Sequence, residues 1–428
     1  MRLGGRLQAA IDILKEIETR HCPAGQAIRA WGLSHRFAGA SDRAAISTIV
    51  YDVLRRRYSL QWRMESDDMR DVVFGTLLDT GKMTIEQIDG ELEGDRFAPQ
   101  LLGPKQRQSW QRRQLVDAPD YIRGDIPQWC QAHLHPLFAD NWEIEAAALA
   151  TRPSLDLRVN SLKATPEKVL KELAKTKIQF LSWFPQALRI APIEKFSRHP
   201  NIQMELAFQK GHFEIQDLGS QIVAHLVEAK ESMQVLDYCA GAGGKTLALA
   251  ASMKNQGHIY AYDSNKVRLA SIFDRLQRAG VRNVQARAHR EELKSLVSQM
   301  DRVLLDAPCS GTGTWRRRPD TKWRLTLEQV RQRQVEQRAI LNEAMDYLKP
   351  NGRLVYITCS LFFGENEEQI SLFLKQHSNF YPINMRTLWQ KYFSFSPVQP
   401  IFSHYGLTLS PATTKTDGFF LSVLQKKH

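Results

Sequence analysis

Two cysteines stand where a thiol can do chemistry. Arg302-Val303-Leu304-Leu305 reads as a buried strand and runs into Asp306-Ala307-Pro308-Cys309-Ser310-Gly311-Thr312-Gly313. Leu354-Val355-Tyr356-Ile357 reads as another and runs into Thr358-Cys359-Ser360. In open α/β sheets the ligand crevice lies beyond the carboxyl ends of the strands, so both thiols and Asp306 are expected on one rim. A buried cysteine is more often a small hydrophobe than a nucleophile. Two of them, each flanked by small polar residues and aimed at one crevice, point instead to covalent chemistry through a thiolate. The remaining cysteines, Cys22, Cys130 and Cys239, form no CxxC with these or with each other. Neither a metal site nor a disulfide framework is therefore expected, and a reducing cytoplasm fits.

A glycine loop belongs to the same rim. After the short apolar strand ending at Leu236 comes Asp237-Tyr238-Cys239-Ala240-Gly241-Ala242-Gly243-Gly244-Lys245-Thr246, and then a helix-like run from Leu247 to Met253. Strand, glycine loop and helix let the backbone approach a nucleotide-like ligand closely. Two phosphate-binding patterns fall short. A Walker A needs glycine where Cys239 stands, and a dinucleotide fingerprint needs glycine where Thr246 stands. A second strand, His258 to Tyr262, ends in Asp263, at the distance from which a carboxylate takes both ribose hydroxyls. An adenosyl ligand without a pyrophosphate, such as S-adenosylmethionine, needs that acid but not the full phosphate pattern. Asp263 is equally placed to cap the helix that follows.

These parts need an alternation of strands and helices to hold them, and the chain alternates in that way from Phe213 onward. Upstream the pattern differs. Leu7, Ala10, Ile11, Leu14 and Ile17 share one helix face, as do Ile46, Ile49, Val50, Val53 and Leu54 behind the capping residues Ser41 and Asp42. Arg55, Arg56 and Arg57 either complement the helix end or touch RNA. Around Glu91 to Trp110 the periodicity fades, which predicts a long connection. Leu155-Asp156-Leu157-Arg158-Val159-Asn160 alternates like a half-buried strand and opens a small α+β unit. The expected organisation is a helical domain over 1–148, a connector over 149–212 and an α/β domain over 213–428.

The chain has 428 residues, 43% hydrophobic and 24% charged, with a net charge of +12. Its composition is globular and it holds no apolar run long enough to span a membrane. Residues 1–20 carry too many charges for a signal peptide. The excess of positive charge suits a polyanion partner as well as a plain basic protein. Trp315-Arg316-Arg317-Arg318-Pro319-Asp320-Thr321-Lys322-Trp323-Arg324, directly after the Pro-Cys loop, interleaves cations with two tryptophans. That pattern suits phosphate contact with stacking on an unpaired base, and the plainer alternative is a solvated basic loop over packed tryptophans.

Taken in order, Asp237–Thr246, Asp306–Gly313 and Thr358–Ser360 resemble the Sun-type (Nop2/Sun) RNA cytosine-C5 methyltransferases. The likeness is strongest to the bacterial small-subunit ribosomal RNA branch, whose members carry a NusB-like helical domain in front. Ala38–Ala44 with Val50–Arg56 is similar to that domain. Leu157–Lys163 and Gln216–Gln221 are similar to an RRM-like connector, and Thr416–Phe420 to the family's tail. The resemblance implies a Rossmann-like domain with a mixed sheet, closed by a C-terminal antiparallel hairpin from Gly406–Leu409 and Gly418–Leu424. It implies Cys359 as nucleophile at cytosine C6, Cys309 assisting proton removal and release, and Asp306 on the N3/N4 edge of the base. S-adenosylmethionine would be held by Cys239, Ala240, Gly241, Ala242, Gly243, Gly244, Lys245, Asp263, Arg268 and Asp306. Lys245 is equally a packing residue at the helix start. RNA contacts would come from Arg158, Asn160, Arg316, Arg317, Arg318, Lys322 and Arg324.

The implied enzyme is a cytoplasmic monomer acting on ribosomal RNA. The family usually has an aspartate near the adenine at the end of the third strand, where this chain has Ala288, so that role passes to His289 or the backbone. Four other readings remain at this point: an RNA-binding assembly factor without catalysis, a methyltransferase of transfer RNA, a DNA methyltransferase using Cys309 as nucleophile, and an ATP-binding protein using Gly244-Lys245-Thr246.

Overall fold

The computed structural model describes residues 1–194 and 199–428. It divides into two units, one of residues 1–152, 192–199 and 315–325, the other of 153–191, 200–314 and 326–428. No helix among the described residues is long and apolar enough to cross a membrane.

The first unit is helical. Leu3–Arg20 buries Leu7, Ala10, Ile11, Leu14 and Ile17, and Ala40–Arg55 buries Ile46, Ile49, Val50, Val53 and Leu54, as the periodicity requires. The second of these helices starts one residue before Ser41, and Asp42 sits in its first turn, accepting from Arg6 Nε at 2.9 Å rather than capping. The stretch expected as a connection holds a helix instead, Pro104–Arg112, whose proline occupies the first turn. The arginine run is internal. Arg55 is buried and donates to Asp52 Oδ1 at 2.8 Å, Arg56 pairs with Asp79 at 2.6 Å, and Arg57 pairs with Glu18.

The basic segment behind the Pro-Cys loop is part of this helical unit, and its interior residues correct the expectation of RNA contact. Arg316 and Lys322 are buried, and Trp315 is wholly enclosed. Lys322 Nζ donates to the carbonyl of Arg55 at 2.9 Å, Arg55 Nε to the carbonyl of Arg316 at 2.7 Å, and Trp323 Nε1 to the carbonyl of Leu54 at 2.6 Å. Burial pushes the Lys322 ammonium down to about 8, against the pull of the buried Asp125. Lys322→Met removes a charge-assisted bond and leaves a buried carbonyl unpaired, a cost of about 1–3 kcal/mol. The expected result is an apparent melting temperature several degrees lower, with an unchanged slope of RNA affinity against salt. A slope reduced by about one with no change in melting would mark Lys322 as a phosphate contact after all.

The second unit holds two sheets. Strands β1 (Leu155–Val159), β2 (Gln179–Phe180), β3 (Ala187–Ile190) and β4 (Phe213–Ile215) form an antiparallel sheet in the order β2-β3-β1-β4. Helix Pro166–Glu172 accompanies it, capped by Thr165. Because β4 pairs with β1, the small sheet runs past residue 212, where the connector was expected to end.

The large sheet contains β5 (Gln234–Asp237), β6 (His258–Tyr262), β7 (Val284–Arg287), β8 (Met300–Asp306) and β9 (Leu348–Thr358), all parallel. Their order is β7-β6-β5-β8-β9, extended antiparallel by β13 (Phe419–Lys426), β12 (Leu407–Leu409) and β11 (Ile401–Phe402). A short strand β10 (Phe380–Pro382) pairs with β13. This is the Rossmann-like mixed sheet with its closing hairpin. The chain enters at β5, winds outward through β6 to β7, and returns to the other side at β8. The switch point therefore lies between β5 and β8, and there the crevice of an open α/β sheet forms.

Candidate active site

The glycine loop leaves β5 at Asp237 and enters helix Gly244–Ser252. Gly243 has φ +82°, and a Cβ there would lie 2.4 Å from Ile272. Gly241 has φ +53° and would crowd Arg268 at 2.8 Å. At Gly244 a Cβ would meet nothing within 4 Å, so the loop opens on free space at the start of the helix. Asp263, buried just after β6, ties the loop down. Its Oδ2 accepts the N–H of Gly241 at 2.8 Å and its Oδ1 that of Asn265 at 2.8 Å. The cap of the next helix is Asn265 rather than Asp263. Each Asp263 oxygen keeps a second lone pair, as a ribose diol requires.

At the switch point, Lys245 and Asp306 form an ion pair of 2.6 Å, with the ammonium 5.2 Å from the centre of the Phe419 ring. Lys245 is buried while a third of the Asp306 side chain is exposed, so the lysine orients the carboxylate from beneath. Asp237 was not anticipated from the sequence. It is fully buried, accepts from Thr246 Oγ1 at 2.7 Å through Oδ2, and leaves Oδ1 without a partner. Burial pushes its carboxyl up to about 7, helped by the charge of Asp306 and opposed by Thr246 and Lys245. A free buried acceptor, an open cradle at Gly244 and a buried diol acceptor fit a polar adenosyl ligand. Cys239, half-buried in this loop, has its thiol pushed up by burial and by Asp237, Asp306 and Asp263, which leaves it inert. Just after β7, Ala288 offers no hydrogen-bonding side chain, and the ring of His289 lies 3.2 Å from Lys266 Nζ.

The two thiols meet. Cys309 Sγ and Cys359 Sγ are 3.4 Å apart, both half-buried, beyond the ends of the adjacent parallel strands β8 and β9. Gly313 N donates to the carbonyl of Cys359 at 2.9 Å, which fixes one loop on the other. The hydrogen bond with Cys359, burial, and the charges of Cys359 and Glu365 push the Cys309 thiol well above the usual thiol range. A thiol held protonated is a poor nucleophile, and its thiolate, once formed, is a strong base.

Beneath the sulfurs lies a carboxylate that the sequence did not single out. Glu365 is fully buried. Its Oε1 accepts from Ser310 N at 2.8 Å and Gln337 Nε2 at 3.1 Å, and its Oε2 accepts from Ser360 Oγ at 2.5 Å and from Ser310 Oγ. The acidic run Glu365-Asn366-Glu367-Glu368 reads as a helix start, and the helix does begin at Glu367. The one sequence signal separating Glu365 from a first-turn acid is its place ahead of that helix.

The connector residues Arg158 and Asn160 are also corrected. Both are buried within the second unit. Arg158 Nε donates to Gln216 Oε1 at 2.7 Å, and Asn160 Nδ2 donates to the carbonyls of Gly211 and Ala279, each at 2.8 Å. Of the cations expected on RNA, Arg318 is exposed and Arg317 and Arg324 are half-buried, Arg324 pairing with Asp320 at 2.8 Å.

Comparison with known proteins agrees with this geometry. Residues 224–425 match the family model described as 16S rRNA methyltransferase RsmB/F, and residues 126–193 match that of the RsmF/B-like ferredoxin-like domain. A probable ribosomal RNA small subunit methyltransferase B of Synechocystis sp. is 29% identical across 98% of this chain and 99% of its own. Its Bacillus subtilis counterpart is 32% identical across 74% of this chain and 72% of its own. The crystal structure of NSun6 from Pyrococcus horikoshii with SFG, 23% identical, superposes with a TM-score of 0.61 over 71% of this chain and 98% of that one, which shows a shared fold. The chain belongs to the 16S rRNA methyltransferase RsmB/F family and is an S-adenosylmethionine-dependent RNA methyltransferase.

Proposed function

We propose that this chain methylates C5 of a cytidine in small-subunit ribosomal RNA through a covalent bond between Cys359 and C6 of the base. The observation that carries this reading is the 3.4 Å pair of sulfurs beside the Lys245–Asp306 ion pair at the switch point of the sheet. Cytosine C5 is a weak nucleophile until a thiolate adds at C6 and leaves electron density on C5. Cys359 is assigned that addition by the family resemblance, and the raised thiol of Cys309 opposes the reverse assignment. Asp306, oriented by Lys245, accepts from the N4 amino group at the N3/N4 edge, and the adjoining Lys245 ammonium offsets the negative charge that thiolate addition places on the ring. The glycine loop and Asp263 would hold S-adenosylmethionine, which when bound would supply an electrophilic methyl group. Cys309, its own proton released to bulk water while Cys359 is bonded to the base, takes the proton from C5; the C5–H electron pair re-forms the C5–C6 double bond and expels Cys359 as thiolate, so one proton is released per methyl group transferred. The base must leave its stack to reach the crevice. Arg317, Arg318 and Arg324 are the remaining basic residues assigned to the RNA backbone.

Bisulfite sequencing of RNA from a strain lacking this gene tests the reading. One small-subunit cytidine is expected to lose its 5-methyl group and regain it when the gene is restored. An unchanged small-subunit pattern with a lost mark in transfer RNA would replace the substrate. No change in either RNA would favour an assembly factor without catalysis.

A further inference from the structure

We propose that Glu365 is a positioning residue that sets the separation of the two active-site sulfurs and, by its buried charge, disfavours a thiolate on Cys309. The inference rests on the reaction assigned above. Ser310 and Ser360 each follow one of the cysteines directly, and both are bound by this one carboxylate. Two loops separated by 50 residues in sequence thus share a single buried anchor. Further bonds lock the anchor itself. Gln337 Nε2 spans from the carbonyl of Pro308 at 2.9 Å to Glu365, and Tyr356 OH donates to the Glu365 carbonyl at 2.7 Å. Asn366 binds Thr358 Oγ1 at 2.6 Å and the carbonyl of Ser360 at 2.9 Å. Among the described residues every donor aimed at the Glu365 carboxylate is neutral, and no cation lies within hydrogen-bond reach of it. The nearest consequence falls on Cys309, whose loop carries two of those donors. The other ionisable groups around this strand-end rim are Cys359, Tyr356, the Asp306–Lys245 pair, and Cys239, Asp237 and Asp263 of the cofactor side. A negative charge under the Pro-Cys loop disfavours a second one on Cys309.

Glu365→Gln separates charge from shape. The amide oxygen can keep the bonds from Ser310 N and Gln337, and the serine hydroxyls can turn to accept from the amide nitrogen. Three readouts apply to the full chain: iodoacetamide alkylation of Cys309 mapped by mass spectrometry, steady-state methyl transfer, and thermal melting. With E365Q, alkylation of Cys309 at pH 8 is expected to rise about tenfold, as one unit of thiol acidity gives. The same variant should lose about 10- to 100-fold in kcat with KM for RNA and methyl donor within about threefold. Ser310→Ala keeps the charge and removes one donor, so it should lower kcat by about three- to tenfold while Cys309 alkylation stays near wild type. Should E365Q melt far below wild type, S310A carries the test. Wild-type alkylation of Cys309 in a folded E365Q, or wild-type kcat in S310A, would overturn the inference. Alkylation needs neither RNA nor methyl donor. If the wild-type protein methylates no cytidine, the reaction is misassigned, and the alkylation ratio alone still decides for or against Glu365.

Discussion

Cys359→Ala is expected to abolish methyl transfer, with a rate at least about 10⁴-fold below wild type, because the barrier to methylating an unactivated pyrimidine C5 returns in full. Folding should survive. Cys359 is half-buried and packs at the margin of the core cluster of Val355, Ile357 and Leu409 rather than within it. Loss of a thiol there removes little apolar contact. The informative companion is Cys309→Ala. It removes the base that releases the enzyme, so addition and methyl transfer proceed and elimination does not. A protein–RNA species that survives denaturing electrophoresis should accumulate with Cys309→Ala and be missing from the double variant. Residual turnover in Cys359→Ala equal to that of Cys309→Ala would show that the two sulfurs substitute for one another.

Asp263→Ala should weaken S-adenosylhomocysteine about 10- to 100-fold, in line with about 1.5–3 kcal/mol for hydrogen bonds to a charged group. Two losses combine. The ribose loses its acceptor, and the N–H of Gly241 loses the bond that holds the glycine loop in its left-handed turn. Asp263→Asn keeps an acceptor oxygen but presents a donor where one backbone N–H now points, so it should fall between alanine and wild type. Titration calorimetry against S-adenosylhomocysteine checks both. Equal affinity in wild type and Asp263→Ala would remove Asp263 from the cofactor site and leave it a purely structural clamp.

The parts of this site that were legible from sequence are those written locally. A strand ending in Asp306-Ala307-Pro308-Cys309, another ending in Thr358-Cys359-Ser360, and a glycine loop between strand and helix each carry their own boundary signals. Sheet logic then places them on one rim without knowledge of any contact. What escaped is set by distant partners. Lys322 looks like a surface cation until its acceptor, the carbonyl of Arg55, is found 267 residues away in the chain. Arg158 sits on β1 and Asn160 directly follows it, and alternation does not say which face a second layer will cover. Glu365 was hidden for a related reason. An acid before a helix is ordinarily a solvated first-turn charge, and only the meeting of two loops from adjacent strands turns it into a buried anchor. Asp237 reads as the first residue of the glycine loop, and its orphaned oxygen is a property of the crevice around it.

The most direct test of the covalent step is a trap. Small-subunit RNA containing 5-fluorocytidine is incubated with the wild-type protein and S-adenosylmethionine, and the adducted peptide is identified by mass spectrometry. Fluorine at C5 cannot leave as a proton does, so elimination stops and the bond to the enzyme persists. The added mass is expected on the peptide bearing Cys359. An adduct on Cys309, or undiminished turnover with no adduct at all, would contradict the mechanism.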